Sequence, residues 1–286
     1  MGYALVIPHT DFSSVATKKV EFKNEYNFDN ILSNFINVSS YNPSNGEIEA
    51  LEHLTYGLWN YDIWDKIDAL YLLLGNTYSS CRYSWKNPND FIAETSDNGQ
   101  SFSLTSEHRI DSGQYPLFIR TFDDFKPDDF HSLSFLKTND SVAMFPLSVT
   151  GFEINNVPSL YFVKSSTNGV SFQYRDHGLE STQKILLNEY YDNTQSSLIA
   201  SGLFNKNENT IKYCSCEFTD ILSNDNMPDW SGTIDYPFYL NGYHNGNKIY
   251  GNARIMGFGK FLTETQMKKY MQLLNIYIEE TANIYS

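Results

Sequence analysis

The sequence predicts a mainly β chain: a two-sheet antiparallel sandwich of the jelly-roll kind, preceded by a helical segment and closed by one amphipathic helix. Three observations carry that reading. From Ser80 to Tyr243, short apolar or alternating runs recur between Asn, Asp, Gly and Ser clusters, with no helical pattern between them. The 286 residues include 21 Tyr and 20 Phe, which suit a pleated, half-buried surface. Near the C-terminus the hydrophobic period changes once, from two to three-and-four.

In chain order, residues 1–43 read as an N-terminal arm. Tyr3 to Ile7 suits one strand, stopped by Pro8, and Lys19 to Phe22 a second. Neither piece is long enough to bury a core, so the arm adds to a sheet or docks on a partner. Asn24 to Asn45 is polar and turn-rich, ending in YNPSNG. Ser44 and Glu47 have capping-box spacing, and Ile48, Leu51, Thr55 and Leu58 then recur helically. A further turn or two, Asp62 to Lys66, completes a helical lead-in at 44–66. Ile67 to Leu74, bounded by Gly75-Asn76, reads as a buried strand and opens a sandwich domain at 67–286.

Strands are expected at Phe102–Thr105, Tyr115–Phe122, Ser141–Val149, Ser159–Ser165, Val170–Arg175, Lys184–Tyr190, Leu198–Phe204, Ile211–Phe218 and Phe238–Tyr243. Asn168-Gly169, between SLYFVKS and VSFQYR, is the strongest hairpin signal. No fixed-period repeat or low-complexity linker divides the domain. Asn252 to Lys260 reads as a strand, with Arg254, Met256 and Phe258 on one face and Ala253 and Ile255 on the other. Gly257 and Gly259 mark a close approach of neighbouring backbone. Thr263 and Gln266 form a second capping box. Met267, Tyr270, Met271, Leu274, Tyr277 and Ile278 then share one face of a helix about four turns long.

Two stretches resemble a known family. The first is the closing pattern ARIMGFG, then LT, then the YMQLLNIYI helix. The second is Trp64 to Tyr71 (WDKIDALY) followed by Tyr83 to Pro88 (YSWKNP). Both are similar to the ends of concanavalin A-like (laminin G-like) sandwich proteins of bacteriophage virions, and together they bracket residues 60 to 280. Trp85 stands where that family more often has Asn or another polar residue. The resemblance implies a concanavalin A-like fold and a virion role as a fibre or surface appendage. It also implies that the N-terminal arm contacts other virion proteins or serves as an oligomer seam. Closed symmetric assembly makes a dimer or trimer the default. Ligand and active site are left open by it.

Composition narrows the partners. Twenty Lys and Arg against 34 Asp and Glu give a net charge of -14. That argues against a nucleic-acid partner, which needs basic clusters, and against charge-driven docking on a membrane; the plainer reading of the acidity is solubility. The N-terminus has no signal-peptide pattern and no window approaches a spanning helix, so synthesis and folding in a cytoplasm, then display on a virion, are expected. Cys81, Cys214 and Cys216 cannot all pair and are expected as free, mostly buried thiols.

The sequence gives little for chemistry. Retaining glycosidases need two carboxylates on one face, about 5 Å apart. Glu153 and Glu217 have no such partner nearby, and Glu279-Glu280 sit at a helix end. The six His are scattered without metal-ligand spacing, and no nucleophile elbow or phosphate loop is present. A non-enzymatic protein without cofactor or resident metal is therefore expected. The run Asp123, Asp124, Asp128 and Asp129 is a candidate calcium loop, but it lacks the Gly and bidentate Glu of an EF-hand and reads equally as a solvated loop. The remaining candidate site is a late group of rings and amides: Trp230, Tyr236, Tyr239, Tyr243, His244 and Asn245. Rings that stack and amides that hydrogen-bond suit a host-surface glycan. The competing reading has most of these rings filling the core.

Overall fold

The computed structural model describes residues 27–75, 77–95, 117–119, 129–137, 147–149, 159–165, 169–175, 184–190, 198–205, 210–215, 221–224, 238–240, 252–282 and 284. The expected arm strands at Tyr3–Ile7 and Lys19–Phe22, the strand Phe102–Thr105, and Cys216 lie outside them.

The first described element is a helix that the sequence reading did not expect. Helix α1, Phe28–Ser39, lies within the stretch read as turn-rich. Asn27 caps it, its side chain accepting from the Asn30 N–H at 3.3 Å. Phe28, Ile31, Leu32 and Phe35 follow at spacings of three and four, and Phe28 and Phe35 are buried. Its Asn- and Ser-rich outer face masked that stripe. Helix α2, Asn45–Asn60, starts at the expected capping box. Glu47 reaches the Ser44 N–H at 2.8 Å and Ser44 Oγ accepts from the Glu47 N–H at 3.4 Å. The Glu47 carboxylate is buried, and the Tyr41 hydroxyl donates to it, 2.9 Å from Oε1. Burial first, then this carboxylate, pushes the Tyr41 hydroxyl pKa up.

A 3-10 turn, Trp64–Lys66, leads into β1, Ile67–Tyr71. The strand ends earlier than Leu74 because Leu73 sits in the left-handed region at φ 51, which no strand continues through. A short helix, α3 (Tyr78–Cys81), follows. The strands then run β2 Glu94–Thr95, β3 Leu117–Ile119, β4 Asp129–Lys137, β5 Leu147–Val149, β6 Ser159–Ser165 and β7 Gly169–Arg175. They continue β8 Lys184–Tyr190, β9 Leu198–Asn205, β10 Thr210–Ser215, β11 Leu222–Asn224, β12 Phe238–Leu240 and β13 Asn252–Lys260, before helix α4, Glu264–Ala282.

These strands form two antiparallel sheets. One has six strands in the order β1-β13-β4-β9-β10-β11, the other seven in the order β2-β3-β12-β5-β6-β7-β8. The sheets approach each other at β4 and β5, β7 and β10, and β8 and β11. β6 and β7 pair as the Asn168-Gly169 signal predicts, Ser165 opposite Gly169. Three described strands were not expected: β2, β11 and β4, the last lying between β13 and β9, where the acidic run stands beside the alternation in HSLSFLK. Of that acidic run, only Asp129, the first residue of β4, is described.

β13 has the expected bounds, but one residue, Arg254, is not on its expected face. A bulge falls between Ala253 and Ile255. Arg254 reaches Thr281 Oγ1 on α4 while Ile255 joins the core under the helices, so the alternation expected from period two is broken there. The close approach expected at Gly257 is present. A Cβ there would lie 3.1 Å from Ala69 O and 3.1 Å from Tyr270 Oη.

Helix α4 starts at the Thr263–Gln266 box, with the Thr263 N–H 3.1 Å from Gln266 Oε1 and the Gln266 N–H 3.2 Å from Thr263 Oγ1. The same Gln266 donates to Tyr61 O and Asp62 O at 3.1 and 3.0 Å, and Lys66 Nζ donates to its Oε1 at 2.8 Å. One cap therefore also ties the last helix to the turn after α2. Met267, Tyr270, Met271, Leu274 and Tyr277 are buried as expected, and Ile278 is half-buried. α2 packs on α4, which crosses β9 and β10. One continuous core fills the space between α1, α2, α4, β1 and β13.

Candidate functional site

β1 is an edge strand, and its free side needs partners for its outward N–H and C=O groups. Residues 84–87 supply them. The Trp85 N–H donates to Leu70 O at 2.7 Å, the Leu70 N–H donates to Ser84 Oγ at 2.9 Å, and Asn87 Nδ2 donates to Asp68 O at 3.0 Å. Asn87 has φ 39, a left-handed conformation that Asn tolerates better than most residues. The chain thus turns tightly at 84–88 against the sheet edge, and the side chains of that turn point in opposite directions.

Trp85 goes inward. It is fully buried against Phe28 and Phe35, with ring centroids 6.1 and 5.4 Å away, and its Nε1–H donates to Thr55 Oγ1 at 3.1 Å. Lys86 goes the other way, its Nζ lying 4.3 Å from the centroid of the Trp64 ring. Trp64, Trp85, Lys86, Asn87 and Pro88 on this side, with Asn30, Ile31 and Asn34 of α1 opposite, line an open pocket of about 230 Å³. That is below the roughly 300–1,000 Å³ of a drug-sized site, so it admits one ring or a short side chain.

The wall chemistry is mixed. Ile31, Trp64 and Pro88 are apolar; Asn30 and Asn34 bring amides, and Asn34 Oδ1 accepts from Asn89 Nδ2 at 3.3 Å. Burial lowers the Lys86 pKa to about 8; Asp65 and Asp68 oppose that shift, and Lys260 adds to it. Burial raises the Asp68 carboxyl pKa, and Lys260 and Lys86 hold it partly down. Rigid elements carry every one of these groups: α1, the 3-10 turn and a turn pinned to a strand.

Of the sequence-predicted site, only Tyr239 falls among the described residues. Trp230, Tyr236, Tyr243, His244 and Asn245 lie outside the described residues. Tyr239 is in β12, opposite Phe118 of β3 and Ser148 of β5, inside the seven-stranded sheet. The pocket residues went unassigned as a site. Their signal was present, because Trp64 and the Tyr83–Pro88 turn carry the family resemblance, but it reads as a fold signature until α1 is known to stand opposite. Among the described residues no cluster of three metal-ligating side chains occurs, and no helix is long and apolar enough to cross a membrane.

No protein-family model and no curated protein matches the chain. Solved structures do. The botulinum neurotoxin serotype D binding domain aligns with 76% of this chain at 10% identity and a TM-score of 0.52. The likeness is one of fold. The chain spans about half the length of that toxin structure, 52% of it. The CBM40 module of Ruminococcus gnavus IT-sialidase, bound to alpha2,3 sialyllactose, aligns with 56% of this chain at 12% identity and a TM-score of 0.42.

Proposed function

We propose that the chain is a non-enzymatic recognition protein on a concanavalin A-like sandwich, carried as a fibre or surface appendage of a virion and binding a host-surface glycan. The observation that carries the recognition half is the pocket at the β1 edge. Its amides and ammonium are held by helix α1 and by a turn hydrogen-bonded to β1 rather than by a free loop, as a selective binding site requires. The shared fold with a toxin binding domain is compatible with that role. The virion half, the display on a particle and the symmetric assembly rest on the two end motifs, with the part of residues 1–43 that precedes α1 as the contact to other virion proteins, since α1 itself packs into the core. The late rings from Trp230 to Asn245 remain candidate glycan contacts.

The test is a broad glycan array probed with the purified full-length chain, run beside size-exclusion chromatography with light scattering. Binding to a defined set of glycans by a dimer or trimer is the expected result. A silent array from a folded chain refutes recognition. A chain that binds no glycan but adds to particles lacking it is a decoration protein instead. Release of reducing ends from a host polysaccharide would overturn the non-enzymatic reading.

A further inference from the structure

The Lys86 ammonium has three N–H donors, and among the described residues no hydrogen-bond acceptor is paired with it; it lies over the Trp64 ring, which is no strong acceptor. Lys86 is half-buried, so water compensates only in part. The cation–π contact fixes the ammonium at the pocket wall without using up its hydrogen bonds. Across the pocket, Asn30 and Asn34 offer amide donors and acceptors at exposed helix positions. Asp65 and Asp68, the carboxylates that act on Lys86, are matched in number by Lys86 and Lys260. An ammonium without a paired acceptor, an amide wall and room for one ring suit a small ring that carries an acid group.

We propose that this pocket binds an acidic sugar unit, with its carboxylate on the Lys86 ammonium and its ring substituents on Asn30 and Asn34. This rests on the recognition reading and names the ligand class for it. A charge-assisted hydrogen bond to the carboxylate replaces the acceptor the protein does not supply, and it is stronger than one between neutral groups. A neutral hexose fits the space but brings no carboxylate to hydrogen-bond the ammonium.

The test is titration of the full-length chain with N-acetylneuraminic acid, glucuronic acid and glucose, followed by heat and by Trp fluorescence. At least one of the two acids is expected to bind and glucose to bind at least tenfold more weakly. Lys86→Met, which keeps the apolar stem over Trp64, should weaken acid binding at least tenfold. Because burial, with Lys260 adding to it and Asp65 and Asp68 opposing it, lowers the Lys86 pKa to about 8, acid affinity should fall about tenfold from pH 7 to pH 9. Asn34→Ala, at an exposed helix position, gives a second variant should Lys86→Met fold poorly, and it too should weaken binding. Binding of neutral glycans on the array, indifferent to Lys86→Met and to pH, overturns this inference and leaves the recognition reading standing. A silent array together with no acid binding overturns both.

Discussion

Trp85 is where the helices, the sheet edge and the pocket turn meet, and its bond to Thr55 can be isolated. Both residues are fully buried, and Trp85 Nε1 donates to Thr55 Oγ1 at 3.1 Å. Thr55→Val keeps the volume and removes the acceptor, leaving a buried indole N–H without a partner. Such a loss costs roughly 1–3 kcal/mol. The other bond of that hydroxyl, to Leu51 O at 2.7 Å, returns to a carbonyl of its own helix, so its loss adds little. Trp85→Phe removes the donor and part of the ring between Phe28 and Phe35, at a cost of about 2–3 kcal/mol, below the ~3–5 kcal/mol of a full truncation to Ala. In the Trp85→Phe background no N–H remains to be orphaned, so Thr55→Val should there cost about 1 kcal/mol less than in the parent. Urea unfolding of the four proteins, followed by far-UV circular dichroism with a common m-value, measures the cycle. Equal costs for Thr55→Val in both backgrounds, within about 0.3 kcal/mol, would refute the bond as a source of stability.

Three further outcomes follow from single contacts. Gly257→Val puts side-chain atoms where Ala69 O and Tyr270 Oη already approach, so urea denaturation should register a loss of about 1–3 kcal/mol. His53 Nδ1 lies 2.8 Å from Glu280 Oε1, joining α2 to α4, and that bond raises the imidazole pKa. A raised folded pKa places the stabilisation below the unfolded value near 6.5 and removes it as pH climbs through the folded value. Because both side chains are substantially exposed, it should amount to less than about 1 kcal/mol, and Glu280→Gln should flatten the thermal-stability profile between pH 5 and 8. Burial pushes the Cys81 thiol up to about 12, so iodoacetamide at pH 8 should leave Cys81 unmodified in the native chain and alkylate it in urea; native labelling of Cys81 would show that the site opens.

Several elements were legible in the sequence because their signals are local. The two capping boxes, Ser44–Glu47 and Thr263–Gln266, satisfy backbone groups within a single turn, and both helices start there. The Asn168-Gly169 signal brings two neighbouring strands together, and β6 pairs with β7. The apolar stripe of α4 faces the core along its length. Where several signals competed, the reading failed. The stripe Phe28-Ile31-Leu32-Phe35 was hidden among Asn and Ser, and the alternation of β4 stood beside an acidic run. The bulge at Arg254 moved one residue off its expected face, a shift set by the neighbouring strand and the overlying helix rather than by composition.

By itself, the sequence determined the elements whose stabilising contacts lie within a few residues: capped helices, a turn-closed hairpin, a strand pattern that excludes an all-helical chain, and an acidic surface. Tertiary structure alone decided which strands neighbour one another, so that β1 pairs with β13, Ile67 opposite Gly259, far away in sequence. It also decided that Lys86 lies over Trp64 with α1 opposite. A pocket is made by residues far apart in sequence. Its geometry depends on burying Trp85 and on giving the β1 edge hydrogen-bond partners, and neither requirement leaves a periodic trace in the sequence.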